Sequence, residues 1–153
     1  MAEFTASAEQ TINPGETAVF TENPVPCRRG FVRHRDETAN FLLSGWTPRK
    51  SCGCCANSAI YQVAFSADIA LPEGGTPGEI TVALTIDGAT IPASTMTQTP
   101  AAAEEYANVA KIITAEVWRG CCETITVRNT SSVPILMRNA SINFSRPDLT
   151  VSY

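Results

Sequence analysis

The sequence predicts an all-β fold, a sandwich or jelly roll of about nine or ten short antiparallel strands. Two observations predict it. Apolar and polar residues alternate strictly over several segments, as they do when one face of a strand lies on a core. Turn-forming residues interrupt those segments at a spacing of roughly 8–12 residues.

Residues 1–12 are small and polar. They are expected to form a flexible arm or strand-exchange segment ahead of a jelly-roll domain at 13–148, with 149–153 as a tail. TAVFTE, GFVRHR and NFLLSGW read as three strands, and the acidic turn Asp36-Glu37-Thr38 joins the last two. Residues 47–58 form a cysteine-bearing loop. AIYQVAFSADIA then alternates, with Tyr61, Val63, Phe65, Ala67 and Ile69 on one face and Gln62, Ala64, Ser66 and Asp68 on the other.

PEGGTPGE, dense in Gly and Pro, is a loop. EITVALTIDG repeats the alternation, with Ile80, Val82, Leu84 and Ile86 inward and Thr81, Thr85 and Asp87 outward. Asp87-Gly88 is a hairpin turn, after which ATIPASTM continues as a strand. AAAEEY is too short for a stable helix and reads as a loop with room for one helical turn. VAKIITAEVW fits strand or helix, and its β-branched content favours strand. In ETITVRN, Ile125 and Val127 point inward; NTSS is a turn; VPILMRNASINF places Leu136, Ala140, Ile142 and Phe144 on one face.

At 153 residues the chain has the length of one domain with a substantial core. Only 17% of it is charged, which leaves little polar material to cover a monomer and hints at self-association. The net charge of −4 argues against binding nucleic acid or an anionic membrane. That charge is unevenly spread. Between Arg28 and Lys50, six cations face two acids, a local +4 that leaves −8 on the other positions. Arg28, Arg29, Arg33 and Arg35 are therefore candidate contacts for an acidic partner or an acidic part of a neighbouring copy. The plainer alternative is a solvated strand that happens to be basic. MAEFTASAEQ has neither the basic start nor the apolar run of a secretory signal, and no apolar stretch approaches the ~20 residues that span a bilayer. The expectation is a chain made in a cytoplasm that reaches a particle or surface by assembly or lysis.

No enzyme is expected. The single histidine, His34 in RHRDE, has no nucleophile motif beside it and reads as a solvated strand-edge residue. No phosphate-binding, dinucleotide-binding, nucleophile-elbow or zinc-protease pattern is present, and Glu104-Glu105 reads as loop solubility. No cofactor is called for. The cysteines are the oddity: Cys52, Cys54 and Cys55 in one loop, Cys121 and Cys122 further on, and Cys27 as a packed thiol. The Cys52/Cys55 spacing suits zinc, but adjacent cysteines seldom point at one ion and the second such pair is missing. Disulfides between the loop and Cys121-Cys122, within or between subunits, are the second reading, and free thiols the third. Trp46 and Trp118 are core or subunit contacts, or else platforms for a glycan.

VPCRRGFVRHRD, FSADIALPEGGTPGEITVALTIDGATIP and RGCCETITVRNTS, in this order, resemble a known family. They are similar to small tumour-necrosis-factor-like jelly-roll proteins of Firmicutes and their prophages, over residues 12–148. The resemblance implies a ten-stranded jelly roll, a tight homotrimer and no catalytic residues. Members are similar to the globular heads of collagen-like spore-surface proteins, and the group with this VPC-x-RG start is found beside phage head genes. The chain has no Gly-X-Y stalk. The expectation is therefore a phage virion protein, a trimeric capsid decoration whose partner is the major capsid protein or another virion protein. The alternative is a trimeric receptor- or glycan-binding module, a tail-fibre tip or a cell- or spore-surface adhesin, using Trp46 and the 52–55 loop.

Overall fold

The computed structural model describes residues 1–47 and 57–149. Its strands are β1 (Ala2–Ala6), β2 (Gln10–Ile12), β3 (Glu22–Val25), β4 (Val32–His34), β5 (Phe41–Ser44), β6 (Ser58–Ala70), β7 (Ile80–Ile86), β8 (Ala89–Thr90), β9 (Met96–Gln98), β10 (Ala107–Trp118), β11 (Cys122–Asn129) and β12 (Ile135–Ser145). The only helical pieces among the described residues are two 3-10 turns, Pro92–Ser94 and Pro147–Leu149. One sheet runs β10-β6-β12-β1-β3, with β2 also on β12; the other runs β4-β5-β11-β7-β8, with β9 also on β7. All pairings are antiparallel. The chain crosses from one sheet to the other between β3 and β4, so these two edge strands are joined by a short loop.

The core is built by the period-two pattern. Ala59, Tyr61, Val63, Phe65, Ala67 and Ile69 of β6 and Ile80, Val82 and Leu84 of β7 are all buried, as their alternation predicts. Phe41 sits at the centre of an aromatic cluster, with ring centroids 5.0 Å from Phe4, 5.1 Å from Phe20 and 5.1 Å from Phe144. Tyr61 is also fully buried, and its hydroxyl lies 2.6 Å from Ser44 O and 3.0 Å from Phe31 O, pinning β6 of one sheet to the other. Asp87 and Gly88 turn the β7–β8 hairpin with φ of 49° and 84°, the two positive values that a two-residue primed turn requires.

Several expectations are corrected. Residues 1–12 are not an arm: β1 lies between β12 and β3, and Ala2, Phe4, Ala6 and Ile12 are buried. The jelly roll therefore starts at Ala2 and not at residue 13; of the expected tail, residues 150–153 lie outside the described residues. TAVFTE is not a strand of its own: it makes isolated bridges at Thr17 and Phe20 and gives only Glu22 to β3. ATIPASTM is broken by the 3-10 turn Pro92–Ser94, because Pro92 cannot donate to a ladder. On β12 the register shifts between Arg138 and Ser141, where Asn139 takes a φ of 51°. That bulge switches parity, so Ile135 and Met137, not Leu136, join Ala140, Ile142 and Phe144 in the core. Thr85 faces away from Leu84, yet it is fully buried, with its hydroxyl bonded to that of Thr126 on β11.

Candidate functional site

Two surface regions gather the residues singled out by sequence. The first forms where the end of β5 meets the β10–β11 turn. Gly45 N donates to Cys121 O at 2.9 Å, and Cys121 N donates to Trp118 O at 2.9 Å. A Cβ on Gly45 would lie 1.9 Å from Trp118 O, so only glycine lets the two segments touch. Beyond this contact opens a cavity of about 540 Å³ lined by Ser44, Trp46, Arg119, Cys121 and Cys122, among others. Trp46 is 61% and Trp118 58% exposed, which overturns their reading as core.

Trp46 is held from beneath. Arg146 Nη1 donates to Trp46 O at 3.1 Å, while its Nε and Nη2 form a forked pair with Asp148 at 2.8 and 2.6 Å. The guanidinium also stands 4.9 Å over the Tyr61 ring. Burial pushes the Asp148 carboxyl up, but the hydrogen bonds and charge of Arg146 outweigh it and hold it below the usual carboxylate value. A lowered folded pKa means the pair's stabilisation is fully present above the unfolded carboxylate value and is lost as pH falls through the folded one. Asp148→Asn is expected to cost about 1–3 kcal/mol near neutrality and almost nothing in strong acid. Urea unfolding of both proteins across pH checks this, and a cost independent of pH would contradict it.

Cys121 and Cys122 are exposed free thiols. Cys52, Cys54 and Cys55, and with them the expected zinc or disulfide link to Cys121-Cys122, lie outside the described residues. Among the described residues no three His, Cys, Asp or Glu side chains gather as a metal site requires. Cys27 is a packed thiol, partly buried against the core, with Val32 N donating to its Sγ at 3.5 Å. His34 is half-buried at the strand edge: its ring nitrogens lie 3.0 Å from Asn40 O and 3.2 Å from Phe20 O, and its ring stacks on Phe41 at 4.4 Å.

The second region is the crossover from β3 to β4. Arg28, Arg29, Arg33 and Arg35 are all exposed. None of the four guanidiniums has an ion pair or side-chain hydrogen bond among the described residues, where the one salt bridge is Arg146–Asp148. Gly30 N donates to Cys27 O at 3.1 Å, closing a four-residue turn with Arg28 and Arg29 at its two central positions. Beside the turn lies a groove of about 390 Å³ whose walls include Pro24, Val25, Pro26 and Phe31. A smaller hollow of about 190 Å³ shares Met1, Arg29 and Phe31 with it.

Sequence reasoning missed two further features. On the outer face of the β10-β6-β12-β1 sheet the patch around Ile112, which is 62% exposed, is uncharged: Gln62, Ala64, Ser66, Ala110, Thr114, Asn143 and Ser145 surround it. Carboxylates elsewhere on the face are occupied within it: Glu116 with Ser58, Glu3 with Ser141, Asp68 with Asn108 and Asn139, and Glu22 on β3 with Thr5 and Ser7. Those bonds hold the Asp68 and Glu22 carboxyls below their usual values. At one end of the face, Arg138 lies 3.6 Å over the Tyr106 ring, and the Tyr106 hydroxyl donates to Glu9. Burial, followed by that bond, pushes the Tyr106 phenol up to about 12. These residues are scattered from position 9 to 138, and no local pattern joins them.

No protein-family model matches the chain, and no curated protein matches its sequence. Solved structures do match. The globular domain of the zebrafish complement 1qA protein is 9% identical, covers 95% of each chain and gives a TM-score of 0.60. Eiger TNF from S. frugiperda is 12% identical over 99% of this chain and 97% of its own, with a TM-score of 0.61. At such identity the likeness shows the fold, and the fold is a complement-1q/TNF-like jelly roll.

Proposed function

We propose that the protein is a non-enzymatic binding module that acts as a homotrimer on a phage particle, decorating the head by clamping neighbouring subunits of the major capsid protein. The observation that carries this reading is the crossover segment 28–35, where four exposed guanidiniums stand unpaired on an otherwise acidic molecule. Unpaired arginines present forked donors to carboxylates and keep their charge at any working pH. The sequence resemblance supplies the phage setting. The trimer rests on the arrangement typical of this fold and on the uncharged patch around Ile112 on the outer face, where the nearest carboxylates are already hydrogen-bonded. A patch without charges loses little when covered by a sister copy.

Purified protein is expected to bind undecorated capsids of the phage whose head genes neighbour its own, at near-stoichiometric occupancy. Arg33→Glu/Arg35→Glu is expected to lower that occupancy while leaving thermal unfolding unchanged. Failure of the unaltered protein to bind removes the decoration role. A second reading, a receptor- or glycan-binding module, is favoured by the exposed Trp46 at the mouth of the 540 Å³ cavity. Binding on a glycan array that is lost in Trp46→Ala would select it.

A further inference from the structure

We infer that the groove beside the Cys27–Gly30 turn takes an extended acidic segment of a partner protein, seating one apolar side chain of that segment between Arg28 and Arg29 and the wall of Pro24, Val25 and Pro26. The inference deepens the partner reading of segment 28–35 and rests on it.

The groove has the two parts such a ligand needs. At about 390 Å³ it falls in the range of hollows that hold a small ligand or a large side chain, and its walls are Met1, two prolines, a valine and the edge of Phe31. Beside it, the guanidiniums of Arg28 and Arg29 have no carboxylate among the described residues. The acids on the adjacent strands are committed elsewhere, Glu22 to Thr5 and Ser7 and Glu3 to Ser141. A carboxylate from a partner therefore displaces no internal pair, and it gains a charge-assisted contact at the rim of an apolar hollow.

The presenting loop is already ordered. The Gly30 N to Cys27 O bond closes the turn, Gly30 takes the φ of 66° that this turn end needs, and Cys27 packs on the core beneath. Binding thus costs little loop entropy. Pro24 and Pro26 offer no N–H, so the partner is read through its side chains and not by strand addition to β3. Nucleic acid is the poorer occupant: the rest of the chain carries −8, and Phe31, 6% exposed, offers no face for a base.

The test is fluorescence anisotropy on the full chain. The probe is a labelled acidic peptide with one central leucine, run beside a leucine-to-glycine version, an amidated version and a single-stranded oligonucleotide. The acidic leucine peptide is expected to bind and to lose about tenfold or more in affinity to Arg28→Glu/Arg29→Glu, with weaker binding at higher salt. The glycine and amide versions are expected to bind several-fold more weakly. Absent binding, binding indifferent to the double substitution, or preference for the oligonucleotide overturns the inference. Capsid occupancy of the same variant separates the two claims. Capsid binding that survives while the peptide fails removes the groove and leaves the decoration role. Arginine-dependent peptide binding with no capsid binding does the reverse.

Discussion

Phe41→Ala is expected to cost about 3–5 kcal/mol, enough to leave much of the chain unfolded under ordinary conditions. Phe41 is fully buried and touches the rings of Phe4 on β1, Phe20 in the bridging segment and Phe144 on β12. Its removal opens a cavity against both sheets at once and strips His34 of the ring it stacks on. The walls cannot collapse into the gap, because Phe4 and Phe144 are fixed on two paired strands of the opposite sheet. Urea unfolding checks the size of the loss, and Phe41→Leu, which keeps most of the volume, is expected to cost less than half as much. A cost under about 1 kcal/mol would show that the aromatic cluster is not the centre of the core.

Ile112→Asp is expected to break the proposed trimer into monomers at micromolar concentration without loss of fold. Ile112 is 62% exposed in the single chain, so the fold does not depend on it. In the uncharged patch of the outer face, the aspartate would be buried against a sister copy without a cation to meet it. An uncompensated buried charge costs about 3–5 kcal/mol, and a closed ring of copies meets that cost at every interface. Sedimentation velocity reads the result directly. An unaltered protein that is monomeric in dilute solution, or a variant that stays trimeric, would remove this face from the assembly.

The long strands were legible because their side chains alternate over enough residues for the period to show: β6, β7 and, on β11, Ile125 and Val127 match their expected faces. β1 was not. AEFTA also alternates, but two of its three inward residues are alanines, too weakly apolar to mark a short strand. β12 was legible as a strand and misread in parity, since the bulge at Asn139 is a backbone event that an asparagine permits without announcing. Arg28, Arg29, Arg33 and Arg35 are exposed as their charge suggested, while Phe31 and Val32 between them are buried. The cavity beside Trp46 was beyond sequence reasoning, because it depends on Gly45 meeting a turn more than seventy positions away.

The pairing of β1 with β12, from Ala2 against Phe144 to Ala6 against Ala140, carries a consequence for biogenesis. The strand a ribosome releases early finds its place only beside one released near the end. Until then β1 waits with one edge unpaired and Phe4 uncovered, and the β1–β3 pair has no sheet to join. Closure of this sheet is a late, long-range event, which makes for slow maturation and a vulnerable nascent chain.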